Sequence, residues 1–409
     1  MTAIHTWNDH GVWWLVDVDG APFVSLGVNH VQPDCWLAPY NRAFMRNRYG
    51  PDLDTPEGGF NPGGQALPRL VDATVARIRG LGFNTLGIHT AGVPARLFAD
   101  DLFYCVAIDV FPLGSRFRFG EQRFPDIFSE EFASMLEARV REVCAEHRDR
   151  PRFIGYAFSD IPRWYFFAGE PRDTEPVHPW VLDLLALPEG APGWQAAMDV
   201  LGRATARTRE DSDAVMERVV ARWYDLHTRL IRRHDPNHLL LGDKLHSPHR
   251  LPAWLPPILA RSVDVLFVQW YSPMSAQRET LERLHRMTGK PVLNGDSSFG
   301  CAKPPRQTRV KGYPVASIAE AGKAYADYLR AAMSLPFMVG WHHCGWIEQW
   351  DGGKRVDWEV NENGLFDPFE NPYPELTRPV AEANARAHAW HAEPGVRPAP
   401  EPAPGSCPP

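Results

Sequence analysis

Two acidic side chains stand out for where they fall in the chain. Asp160 closes the apolar run Phe153-Ile154-Gly155-Tyr156-Ala157-Phe158, with Pro162 and Trp164 just beyond it. Asp296 closes a second run of the same form, Lys290-Pro291-Val292-Leu293-Asn294-Gly295. A carboxylate at the exit of a buried strand is costly to desolvate. In a barrel of parallel strands, that exit is also where reacting groups gather. Two carboxylates facing one pocket are what cleavage of a glycosidic bond requires. One protonates the leaving oxygen, and the other attacks the anomeric carbon or activates water. The two roles need different proton affinities, hence different surroundings. Ile161, Pro162 and Trp164 beside Asp160 predict a raised pKa and an acid, whereas Ser297 and Ser298 can hydrogen-bond a charged Asp296 and predict a nucleophile or base. For either residue the alternative is a turn cap or an ion pair, with Arg163 the obvious partner for Asp160.

Other polar residues fall at the same ends of apolar runs and are candidates for holding substrate hydroxyls: His30, His89, Asp109, Asp243, Lys244, His246, Gln269, Tyr271 and His342. Tyr271 is placed to orient Asp296. Asp243, Lys244 and His246 form a polar triplet, for which a salt bridge inside the barrel is the plain explanation. Glu348 is an alternative carboxylate lying past the last strand. Trp164, Trp270, Trp341 and Trp346 are candidate platforms for sugar rings, and core filling accounts for them equally well.

These candidates need a scaffold, and the hydrophobic pattern supplies one. Residues 12–31 read as a hairpin turned at Asp17-Val18-Asp19-Gly20 and followed by a strand ending at Asn29-His30. Residues 34–67 read as a long loop over the site. Helical spacing is predicted over residues 68–81, 129–147, most of 194–233, 276–288, 318–335 and 374–391. Strands are predicted at 83–88, 103–110, 153–158, 238–241, 263–268, 290–296 and 337–341. Eight strands alternating with helices or long loops predict an α/β fold, a (β/α)8 TIM barrel. A doubly wound open sheet is the alternative, disfavoured because no Gly-x-Gly-x-x-Gly follows the first strand. The expected organisation is one barrel over residues 1–392, hairpin included, and a Pro-rich tail at 393–409 that is disordered.

Composition narrows the partners. The chain has 409 residues, a formal net charge of -7 and a pI near 6.1, which argues against nucleic acid or an anionic membrane as the main partner. The start, MTAIHTWNDHGVWW, has no charged region leading into an apolar stretch, and no apolar run reaches membrane-spanning length. Six scattered cysteines without a C-x-x-C pair suit a reducing cytoplasm. The 15 Trp fit a carbohydrate ligand, since ring faces stack on sugar C–H faces. The expected partners are a small carbohydrate and at most further copies of the chain; no cofactor and no metal are expected.

The motifs carry a family likeness. WWLVDVDGAPFVSLGVNHV, GYAFSD, FVQWYSP and KPVLNGDSSFG, with the closure at Asn363-Gly364-Leu365-Phe366-Asp367 through Asn384, fall in order along nearly the whole chain. Together they resemble the glycoside hydrolases of the large retaining (β/α)8-barrel clan, in particular agarase-like and β-galactosidase-like members. The resemblance implies a glycosidase with its acid/base on the fourth strand and its nucleophile on the seventh. Two departures stand against the clan pattern. The acid/base Glu position holds Ile161, with Asp160 at the preceding Asn position, and Asp296 replaces the nucleophilic Glu. A noncatalytic carbohydrate-binding barrel and a metal-dependent barrel hydrolase remain the rival readings. The latter is weakened because His342 and His343 are adjacent and point to opposite faces of a strand. Geometry separates these readings: catalysis by the pair requires both Asp side chains to converge on one open pocket, with no Arg or Lys neutralising both.

Overall fold

The computed structural model describes residues 3–90, 92–109, 124–160, 164, 176–308, 310–350 and 363–393. Residues 394–409 of the expected disordered tail, and Arg163, lie outside the described residues. Eight parallel strands close into a barrel. In chain order they are β1 (Ser25–Val28), β2 (Thr85–Leu86), β3 (Phe103–Ala107), β4 (Phe153–Asp160), β5 (Leu239–His246), β6 (Leu266–Gln269), β7 (Val292–Ser297) and β8 (Met338–His343). Closure is made where β8 pairs with β1, Gly340 opposite Ser25 and His343 opposite Val28. The predicted (β/α)8 barrel is therefore the observed architecture.

Local chemistry explains most of the elements. The helix Glu130–His147 begins at Ser129, whose hydroxyl accepts the Phe132 N–H, and Glu130 and Glu131 in its first turn suit the helix dipole. Its stripe of Phe132, Leu136, Val140 and Val143 is buried. The helix Arg209–His234 opens with a capping box between Thr208 and Asp211. The helix Met274–Thr288 stops at Gly289 in the left-handed region.

Three local readings differ from the pattern-based expectation. The N-terminal unit is a three-stranded antiparallel sheet, because His5–Asp9 adds a strand to Val12–Val16 and Pro22–Phe23. The long loop after β1 contains short helices at Pro33–Trp36 and Arg42–Tyr49. The helix Leu255–Ser262 escapes the pattern because Pro256 and Pro257 read as breakers, yet Pro is tolerated in a first turn. Between β2 and β3 there is only the 3-10 turn Ala95–Leu97.

Two apolar clusters result. One lies between the strands and the outer helices. The other fills the barrel interior with Phe103, Ile154, Leu239, Leu241, Phe267, Leu293 and Val339, and Leu15 and Phe23 of the N-terminal sheet join it. The barrel is thus packed below, and its charged side chains gather at the C-terminal rim. Among the described residues no helix is long and apolar enough to cross a membrane.

Candidate active site

Lys244 is the centre of the rim. It lies on β5, is fully buried, and an ammonium group has three N–H donors to satisfy. Its Nζ is 2.9 Å from Asp160 Oδ1, 3.1 Å from Asp296 Oδ2 and 2.7 Å from His89 Nε2. An ammonium can only donate, so His89 presents its Nε2 lone pair to it. The same His89 nitrogen lies 3.6 Å from an oxygen of each carboxylate. The contacts to Lys244 cap the separation of the two nearest carboxylate oxygens at about 6 Å, where the retaining range (about 5 to 5.5 Å) and the inverting range (about 6.5 to 9.5 Å) adjoin.

Asp296 is held from both sides. Asn29 Nδ2 donates to Asp296 Oδ1 at 3.0 Å and to the Gly295 carbonyl at 2.7 Å. Asn29 is the first residue past β1, and its backbone N–H bonds the His343 carbonyl. Glycine makes room for these side chains. A Cβ at Gly87 would lie 2.1 Å from Asn29 Oδ1, and one at Gly27 would lie 2.3 Å from the His342 ring. Gly87→Ala is therefore expected to displace Asn29 and to destabilise the protein by about 1–3 kcal/mol, the usual range for overpacking a tight site. Chemical denaturation measures this; an unchanged midpoint would show that the wall yields.

The electrostatics of the two carboxylates correct one expectation. Burial raises the pKa of Asp160, as its apolar neighbours suggested, but the Lys244 cation and His89 together outweigh burial and the net shift is downward. Asp296 has the same balance and is held well below the ordinary carboxylate range. In turn the two carboxylates overcome the desolvation of Lys244 and keep it cationic. Both acids are ionised at neutral pH, so Asp160 is not the poised acid that its sequence context predicts.

The other candidates divide into two groups. His30, His89 and Asp109 join the rim. His30 stacks on His89 with ring centroids 4.9 Å apart, and both His30 and Asp109 adopt positive φ, at 62° and 38°. His342 lies one level below, its Nε2 2.8 Å from Ser25 Oγ, and burial pushes its pKa down to about 3. His246, Gln269, Trp270 and Tyr271 cluster at the ends of β5 and β6, where His246 pairs in register with Gln269 and Trp270 stacks on His249.

Asp243 turns the other way, out of the barrel. Its carboxylate accepts from Ser159 Oγ, Trp164 Nε1 and Trp223 Nε1, and burial pushes its pKa up to about 6. Trp164 is correspondingly packed against Trp180 and Trp223. Trp341 packs on Tyr325 and Tyr328, and Trp346 on Phe366, so these tryptophans fill core rather than offer an open face. Glu348 is ion-paired to Lys303 and hydrogen-bonded by Trp350. Asn29 was missing from the candidate residues, although it ends the first-strand motif; Lys244 was among them, but with no hint that it would touch both acids.

His30, Asp296 and Cys344 also place one potential metal-ligating atom each within 4.8 Å of one another. The two Asp296 oxygens already accept from Asn29 and Lys244.

No protein-family model matches the chain, and no curated protein sequence does either. Its fold matches solved structures. An agarase superposes with a TM-score of 0.72 at 18% identity, over 95% of this chain and 64% of the agarase chain. An exo-β-agarase superposes with a TM-score of 0.74, also at 18% identity, over 96% of this chain and 66% of that one. A β-glucuronidase from Bacteroides uniformis follows with a TM-score of 0.53 at 13% identity, over 95% of this chain and 37% of the glucuronidase. The chain thus spans just under two thirds of the two agarase chains' own lengths. At these identities the likeness establishes the fold.

Proposed function

We propose that this barrel is a glycoside hydrolase acting on a small glycoside or short oligosaccharide, with Asp296 as nucleophile or base. The observation that carries the proposal is the meeting of carboxylates from β4 and β7 at one rim, on a fold shared with an agarase and an exo-β-agarase. The exo-β-agarase neighbour, with the β-galactosidase-like motifs of the sequence, favours a β-glycosidic bond. Asp296 is ionised and fixed by Asn29 and Lys244, the state that attack on an anomeric carbon requires. Asp160, also charged, stabilises the oxocarbenium-like transition state from the neighbouring strand. The described cysteines are buried and unbridged, which suits the cytoplasm as the place of action.

One observation favours a second reading, a carbohydrate-binding barrel without catalysis. Lys244 contacts both carboxylates at once, and a permanent cation between them is what a productive acid–nucleophile pair should lack. The readings separate on purified protein offered aryl β-galactosides, aryl β-glucosides and agaro-oligosaccharides, with product anomers read by NMR and binding by calorimetry. A hydrolase releases product with one defined anomer first. Binding without any release across the panel would overturn hydrolysis and leave the second reading.

A further inference from the structure

With Asp160 held as a carboxylate, the hydrolase reading lacks a proton donor. Resting on that reading, we infer that Asp109, at the end of β3, carries the proton that the leaving group takes. The pairing of β3 with β4 runs on past Ala107, as Ile108 N–H bonds the Ala157 carbonyl and Asp109 N–H bonds the Phe158 carbonyl. This puts Asp109 beside Asp160, whose own backbone N–H is hydrogen-bonded to the Asp109 carboxyl. The other carboxyl oxygen, Oδ1, is buried with no hydrogen-bond partner among the described residues. No described basic side chain is ion-paired to Asp109. Its φ of 38° is a conformation that strains a non-glycine residue, so the turn that carries this side chain is held by its surroundings. One such restraint is Arg139, whose Nε donates to the Ile108 carbonyl at 3.0 Å.

A carboxyl buried beside a carboxylate, with no cation of its own, retains its proton. The charged groups around it act accordingly. Burial first and then Asp160 push its pKa up to about 7, Asp243 adds to this, and Lys244 opposes it. Asp109 also borders a cavity of about 370 Å³ between the outer wall of β2 and β3 and the helix Glu130–His147, with Arg139, Glu142, Glu146 and His147 on its wall. That volume holds on the order of ten waters, a route for reprotonation from outside the barrel.

The step balances. The Asp109 proton goes to the glycosidic oxygen as its bond to the anomeric carbon breaks, and the aglycone leaves as a neutral alcohol. Asp296 attacks that carbon directly or through a water. In the direct case a second water hydrolyses the glycosyl ester and returns a proton to Asp109.

Leaving-group dependence tests the assignment. A 2,4-dinitrophenyl β-galactoside departs without protonation, whereas a phenyl β-galactoside needs it. In kcat/KM, which reports the bond-breaking step, Asp109→Asn should lose about 10²-fold or more on the phenyl substrate, stay near wild type on the dinitrophenyl one, and lose the alkaline limb of the pH profile near 7. Asp109→Glu should restore part of the phenyl activity. Equal losses on both substrates, or the split appearing in Asp160→Asn instead, would overturn the inference and leave the hydrolase reading standing. A wild type that cleaves neither substrate nor any other glycoside marks failure of that reading. Carbon-13 NMR of the Asp carboxyl groups is decisive in either case. A signal with a midpoint near 7 that vanishes in Asp109→Asn is expected; its absence from the wild-type spectrum sinks the proposal.

Discussion

Asp296→Asn is expected to reduce glycoside turnover by about three orders of magnitude or more, while the fold persists. The amide has the size and shape of the carboxylate but no charge with which to attack an anomeric carbon or draw a proton from water. The surroundings tolerate the exchange. Asn29 can still find the amide oxygen, and Lys244 retains Asp160 at 2.9 Å and His89 at 2.7 Å. Circular dichroism and thermal unfolding should therefore stay close to wild type while steady-state kinetics collapse. Activity near wild type would reject Asp296 as the reacting group, whatever the fate of Asp109.

Lys244→Met should have the largest effect on stability, about 3–5 kcal/mol at neutral pH, because it leaves two buried carboxylates without their common cation. The pH dependence gives this prediction its sign. In the wild type both Asp160 and Asp296 are more acidic folded than unfolded. The stability they contribute is complete above the unfolded carboxylate value near 3.9 and is lost as pH falls through their folded values. Lys244 is raised, so its contribution is complete below about 10.4 and is lost as pH climbs through its folded value. Unfolding free energy should accordingly be flat through neutral pH and decline on both sides. In the Met variant burial loses its main opponent, the folded pKa values of both carboxyls rise, and protonation costs the folded state less. The deficit should be greatest near pH 7 and shrink towards pH 4. Denaturant unfolding across that range measures it. A deficit of constant size would indicate lost packing of the lysine stem rather than an exposed charge imbalance.

Pattern recovered the barrel because its signals are local. Each strand is an apolar run bounded by breakers, and the helix Glu130–His147 declares itself by a serine cap, two first-turn acids and a regular apolar stripe. The same locality explains the misses. The strand His5–Asp9 is mixed in polarity, and it becomes a strand because Val12–Val16 offers it an edge. The helix Leu255–Ser262 hides behind two prolines.

At the site, chain order alone determined that Asp160, Lys244 and Asp296 belong to the rim, since each ends or nearly ends an apolar run in a strand–helix repeat. It also determined the residue types available there. Which of these groups touch was decided only by closure of the barrel, which brings β4, β5 and β7 around one ammonium and turns the adjacent Asp243 outward to Trp164 and Trp223. Proton affinity follows from that proximity. Burial can be anticipated from apolar neighbours in sequence, but the Coulomb energy of a cation about 3 Å away depends on distance in space, and here Lys244 together with His89 reverses the shift that burial alone would give Asp160.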